Sequence, residues 1–130
     1  MKKKLYTAIG LMSGTSMDGV DLSIISSDGY DHFFNIFNDY HEYDKKLKDQ
    51  LIDLRDLILS KKDLLKNSII LRELERNITL FHVEIIERSL KKIQTSVDLV
   101  GFHGQTIFHN PQQKITKQLG DGKLLSQMIK

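Results

Sequence analysis

The stretch Leu5-Tyr6-Thr7-Ala8-Ile9-Gly10-Leu11-Met12-Ser13-Gly14-Thr15-Ser16-Met17-Asp18-Gly19-Val20-Asp21-Leu22-Ser23-Ile24-Ile25 decides how this chain is read. Two apolar runs, Leu5–Met12 and Val20–Ser26, predict strands. Between them lies a loop of glycine and hydroxyl residues. Such a loop can turn several backbone N–H groups and two or three hydroxyls toward one anion, which is how proteins hold phosphate. Gly14 and Gly19 are expected to supply positive φ values and room for close ligand approach. Asp18 sets a carboxylate beside that anion, which calls for a cation such as Mg²⁺ between them. An ordinary hairpin turn has the same composition, and that alternative stands at this point.

Working outward, Asp28-Gly29 marks a turn into a third strand, Tyr30–Tyr40. Three strands joined by tight turns make an antiparallel meander. The period then changes. Leu47, Leu51, Leu54 and Ile58 recur at helical spacing behind Asp44, an expected N-cap. Asp63 is expected to cap a second helix whose stripe Leu71, Leu74, Ile78, Phe81 and Ile85 reads as a packing face. That helix runs to about Lys92 or breaks near Asn77. His82, beside the stripe, is expected at the surface or boundary. Thr95–Phe102 reads as a short buried strand that can lie parallel to the first, because long helical sequence precedes it. Ile107-Phe108 and Ile115–Leu119 suggest a small hairpin, and Lys123–Lys130 a helix. The order strand, strand, strand, helices, strand is the start of a ribonuclease-H-like α/β unit. A fifth strand is expected after the last helix, so the sheet reads as truncated before it.

Composition narrows the function classes. A net charge of +2 is too small to argue for nucleic acid or an anionic membrane. Lys2-Lys3-Lys4 reads as a solvated basic start. No apolar run approaches the roughly 18 residues of a membrane span. The absence of cysteine excludes disulfides and thiolate metal sites. The cytoplasm is the expected location.

A second chemical cluster, His103-Gly104-Gln105-Thr106, directly follows the predicted parallel strand, where ligands bind in such sheets. Imidazole, primary amide and hydroxyl suit a polyhydroxylated ligand such as a sugar. His103 is equally read as a core histidine bonded to a backbone carbonyl. His103 and His109 stand six apart with no carboxylate at ligand spacing, which argues against zinc.

The loop lacks the Gly-Lys-Ser/Thr ending of a Walker motif and the glycine spacing of a dinucleotide site. Its strand–turn–strand setting fits the phosphate hairpin of actin-like and sugar-kinase-like ATPases better. Three segments together, Gly10–Asp21, Gly101–Pro111 and Gln118–Gly122, resemble the anhydro-N-acetylmuramic acid kinases in that family's order and spacing. The intervening helical region matches only in character.

The resemblance implies an actin-like, two-domain fold of which residues 1–130 are the incomplete N-terminal part. It implies an enzyme that uses ATP, Mg²⁺ and water to open 1,6-anhydro-N-acetylmuramic acid and phosphorylate it, yielding N-acetylmuramic acid 6-phosphate in peptidoglycan recycling. Carried over by position, Gly14, Thr15, Ser16, Met17, Asp18, Gly19, Val20 and Asp21 form the ATP-binding segment. Gly14, Thr15, Ser16 and Gly19 touch phosphates, and Asp18 lies close to the metal. His103 and Gln105 border the sugar cleft, and Asp121 lines it. The general base, in an Asp-Phe-Arg stretch, is expected beyond residue 130, as is the second domain, so no catalytic residue is assigned here. Losing half the clamp removes most of the positioning on which phosphoryl transfer relies. The alternative is half of a split enzyme, or a non-catalytic remnant that binds nucleotide or sugar. Expected partners are ATP, the sugar, and a second copy or a complementary C-terminal chain covering the open sheet edge. A nuclease needs several carboxylates converging on two metals, and only Asp18 and Asp121 suit that role.

Overall fold

Alternating burial along the first two apolar runs makes them strands. β1 (Tyr6–Met12) buries Ile9 and Leu11, and β2 (Gly19–Ser27) buries Val20, Leu22 and Ile24. They pair antiparallel from Tyr6–Ser27 to Met12–Asp21. The computed structural model describes residues 3–129, so Lys2 and Lys130 lie outside the described residues. The Asp28 carboxylate accepts from the amides of Tyr30 and His32 at 2.9 and 3.0 Å. That turn takes up the residues before Phe33, so β3 (Phe33–Glu42) begins later than the expected Tyr30. β3 pairs antiparallel with β2, with a register shift at Ile24/Ile25.

β4 (Leu99–Gly101) runs parallel to β1, pairing Ala8 with Leu99 and Gly10 with Gly101. The sheet order is β3-β2-β1-β4, a mixed sheet with flanking helices, consistent with part of a ribonuclease-H-like, actin-like unit. β4 is shorter than the expected Thr95–Phe102 and is not buried. Just before it, Asp98 holds Thr7 with both its backbone N–H, which donates to Thr7 O at 2.8 Å, and its carboxylate, whose Oδ2 accepts from Thr7 N at 2.8 Å. Leu99 is exposed and Val100 half-buried. β4 has one neighbour among the described residues, and a groove of about 680 Å³ opens beside it, lined in part by Leu90, Val97, Phe102, Leu125 and Ile129.

α1 (Lys45–Leu57) starts where the sequence indicates: Asp44 Oδ1 accepts from Leu47 N at 2.8 Å. Asp63 does not cap the next helix. α2 (Lys61–Lys66) has Ser60 at its N-cap, and Asp63, in its first turn, reaches back to Leu59 N and Ser60 Oγ. The helical run is interrupted by a turn at Asn67, and α3 (Ser68–Ile93) then runs without interruption through Asn77, ended by Gln94 in the left-handed region. Leu51, Leu54, Ile78, Ile85 and Ile86 meet the buried residues of β1 and β2 in one core. Burying one such side chain is worth about 1.5–3 kcal/mol.

His82 is not at the surface. It is 1% exposed, donates from Nδ1 to Ile78 O at 2.7 Å, and packs edge-on against Phe102 at 4.9 Å between ring centroids. Helical spacing places it beside the stripe, and the segment after β4 covers it. Burial lowers its pKa.

β5 (Gln105–Asn110) and β6 (Ile115–Leu119) form a separate two-stranded sheet with a register shift between Thr106 and Phe108. Gly104, at φ +77°, must be glycine, because a Cβ there would stand 2.0 Å from Leu119 O. α4 (Gly122–Met128) follows, and Thr79 on α3 ties its start down by accepting from Asp121 N at 3.0 Å.

Candidate functional site

Because β1 and β4 are adjacent and parallel, their carboxyl ends open on the same side of the sheet. Ligands bind at that end in such sheets. The Ser13–Asp18 loop leaves from β1 and the His103–Gln105 segment from β4, so sheet topology alone brings the two sequence motifs together.

The loop is a tight turn closed by Met17 N donating to Gly14 O at 3.2 Å. Ser13 is buried, and its Oγ donates to Gly104 O at 2.6 Å. Gly14, Thr15, Ser16 and Asp18 are exposed. Among the described residues, the amides of Thr15, Ser16 and Asp18 have no protein acceptor.

The expected positive φ values are not at Gly14 or Gly19. Met17 holds that conformation, at φ 59°, with its side chain 1% exposed in the core. A non-glycine residue in this region is uncommon, and burial of its side chain holds it there. Gly19 is needed for a different reason. It faces Glu42 in the β2–β3 ladder, and a Cβ would stand 2.3 Å from His41 O. Gly14 is open: a Cβ there would meet only Ser16 Oγ, at 3.8 Å. Val20 is a core residue, and Asp21 is exposed at the β1–β2 pair nearest the loop.

Asp18 does not stand alone. Its Oδ1 accepts from Lys48 Nζ on α1 at 2.7 Å, and its carbonyl accepts from Tyr43 N at 2.9 Å. The Lys48 hydrogen bond, helped by Ser16, holds the carboxyl below the usual aspartate range, and the same pair raises the Lys48 pKa. Among the described residues no group of three or more His, Asp or Glu side chains is arranged to hold a metal ion.

Gln105 is fully buried. Its Nε2 donates to Gly14 O at 2.8 Å and to Thr106 O at 3.1 Å, and its Oε1 accepts from Tyr43 Oη at 3.1 Å. Burial pushes the Tyr43 hydroxyl up to about 12, so it remains a donor at any physiological pH. His103 is half-buried, with Nε2 3.3 Å from Met12 Sδ, and its Nδ1 has no hydrogen-bond partner. Asp121 is exposed and accepts from Leu124 N at 3.0 Å as the N-cap of α4. Its neighbour Gly120 lies against Gly104.

Sequence reasoning missed Tyr43 and Lys48. Neither carries a local signal: Tyr43 only precedes a helix cap, and Lys48 is one of several lysines on an amphipathic helix.

The family profile described as "Anhydro-N-acetylmuramic acid kinase" matches residues 6–130. The chain belongs to this kinase family. It is 58% identical over 128 residues to the anhydro-N-acetylmuramic acid kinase of Pelagibacter ubique, a match covering 98% of this chain and 34% of that protein. The enzyme of the same name from Brucella suis is 39% identical over 131 residues, and that of Rhodopseudomonas palustris 38% over 132. The chain spans about a third of the length of these relatives. No described helix of this kinase-family chain is long and apolar enough to cross a membrane.

Proposed function

We propose that the exposed residues of the Ser13–Asp18 loop, Gly14, Thr15, Ser16 and Asp18, hold the phosphate tail of ATP within a sugar kinase of amino-sugar metabolism. The reaction is the ATP-dependent, water-consuming opening of 1,6-anhydro-N-acetylmuramic acid, with phosphorylation to N-acetylmuramic acid 6-phosphate for peptidoglycan recycling. One observation carries the reading. Thr15 and Ser16 are exposed residues on a turn at the carboxyl end of β1, beside the open space at Gly14, and among the described residues their amides have no protein acceptor. That is a donor set ready for an anion.

Mg²⁺ fits this loop at the level of one carboxylate. Such an ion is commonly bound by one or two carboxylates together with substrate phosphates and water. Asp18 is the exposed carboxylate at the loop, and because its Oδ1 already accepts from Lys48 Nζ at 2.7 Å, a metal ion would have to share or displace that contact. When bound, the ion would offset charge on the phosphates. The Lys48 contact that lowers the Asp18 pKa makes the carboxylate a weak proton acceptor, which argues against a general base.

His103 and Asp121 are assigned to the sugar side. The Nδ1 of His103 is buried and has no hydrogen-bond partner among the described residues, so a sugar would reach it only if the ring turned, whereas Asp121 is exposed beside the Gly104–Gly120 contact. Gln105 serves the cleft indirectly, since both amide hydrogens and the carbonyl oxygen are engaged within the protein. The coverage favours a segment that contributes binding, with turnover belonging to a larger assembly: a longer polypeptide or a complementary chain.

Gly14→Val tests the loop assignment in the complete polypeptide that carries this segment. The added methyls enter the space proposed for phosphate. Affinity for a non-hydrolysable ATP analogue, measured by titration calorimetry, should fall at least about tenfold. Unchanged affinity refutes the assignment.

A further inference from the structure

Two sets of hydrogen bonds join the two motifs. Tyr43, at the end of the segment leading into α1, donates to Gln105; Gln105 donates to the carbonyl of Gly14; Ser13 donates to the carbonyl of Gly104. The partners lie 62 and 91 residues apart in sequence, and Gln105, Ser13 and Tyr43 are all buried. The Gly14 carbonyl is also the acceptor that closes the loop turn on Met17 N. Whatever holds that carbonyl therefore sets the direction of the peptide groups that follow it, including the Thr15 amide. A buried amide that donates both N–H groups and accepts on its oxygen is held in one orientation, and its loss leaves partner groups without their partners.

We propose that Gln105 is a positioning residue for the phosphate loop, clamped by Tyr43, so that the segment after β4 aims the loop amides and the two motifs move as one unit. The inference rests on the loop assignment made above and goes beyond it by naming what orients the donors. It reverses the simplest expectation for Gln105. The first consequence of losing its amide falls on nucleotide binding, not on sugar binding.

The test uses the complete polypeptide with two variants. Gln105→Met keeps the volume and removes the hydrogen bonds. Tyr43→Phe leaves the ring, which packs 5.0 Å from Phe81, and removes only the hydroxyl that orients the amide. Affinity for the ATP analogue and for the anhydrosugar is measured separately by calorimetry, with circular dichroism and Tm as controls for folding. Gln105→Met should weaken nucleotide binding about tenfold, and Tyr43→Phe by a smaller factor, with sugar affinity in the absence of nucleotide within about twofold of wild type. Wild-type nucleotide affinity in folded Gln105→Met, or a loss confined to sugar binding, overturns the proposal. If Gln105→Met fails to fold, Tyr43→Phe decides by the same criterion. A lowered Tm with unchanged nucleotide affinity marks Gln105 as structural only and also overturns it. Gly14→Val separates the two layers. If it abolishes nucleotide binding while Gln105→Met does not, the positioning role fails and the loop assignment survives; if Gly14→Val has no effect, the loop assignment itself fails.

Discussion

Gly19→Ala and Gly14→Ala add the same single methyl to the same loop, and the structure predicts opposite outcomes. At Gly19 the new Cβ would lie 2.3 Å from His41 O, 2.8 Å from Glu42 Cα and 2.9 Å from Tyr40 Oη. Two of these neighbours are backbone atoms of β3, so relief requires the β2–β3 ladder to part at Gly19–Glu42. Overpacking of this kind costs about 1–3 kcal/mol, and each ladder bond lost about 1 kcal/mol more. Restricting the unfolded chain returns about 0.4–1 kcal/mol. The net loss is about 2 kcal/mol, or roughly 5–10 °C in Tm for a chain of this size. At Gly14 the new Cβ meets only Ser16 Oγ at 3.8 Å, and the residue lies outside the left-handed region. Gly14→Ala should therefore keep wild-type stability to within about 1 kcal/mol. Urea unfolding of both variants, followed by circular dichroism with m-values compared, supplies the measurement. Equal midpoints would refute the assignment of Gly19 to strand packing and of Gly14 to open space.

Two further outcomes follow from the electrostatics. His82 has a folded pKa below its unfolded value of about 6.5, because burial disfavours the imidazolium. The unfolded state then binds the proton more readily, so stability falls as pH drops below about 6.5 and levels off once pH passes below the folded pKa. In His82→Leu the urea midpoint should depend less on pH across that window, and an unchanged slope would show that His82 does not titrate as described. Lys48→Met should raise the Asp18 pKa toward the ordinary aspartate range, since the lysine contact is the largest cause of its depression. NMR titration of the Asp18 carboxyl reads this directly, and an unmoved titration would show that the pair does not persist in solution.

Much of the fold was legible because its signals are local. The β1–loop–β2 hairpin follows from two apolar runs around a glycine-rich bend, and the Asp44 cap and the Leu47–Leu51–Leu54 stripe follow from helical period. Where reading failed, a longer-range contact outweighed a local preference. Asp63 has the chemistry of a cap, but Ser60 takes the position and Asp63 folds back on it. His82 reads as a boundary residue until the segment after β4 covers it with Phe102. The positive φ assigned to the loop glycines falls on Met17, because its side chain is anchored in the core. The stretch from Thr95 to Phe102 contributes only three residues of strand, and just before it Asp98 holds Thr7 with both its backbone N–H and its carboxylate.

The candidate site divides the same way. The motifs Gly10–Asp21, Gly101–Pro111 and Gln118–Gly122 carried the resemblance to the kinase family, and the glycine- and hydroxyl-rich loop and the His103–Thr106 segment were legible as candidates, since those features reside in short stretches of chain. Only the tertiary structure decided which protein contacts each of those residues makes. Gln105 is spent on Gly14 and Tyr43, Asp18 is paired with Lys48, and Gly19 makes room for β3. The physical reason is distance along the chain. A hydrogen bond between residues 62 or 91 positions apart exists only after parallel pairing of β1 with β4 and docking of α1 have brought its two ends together, and no local pattern encodes that meeting.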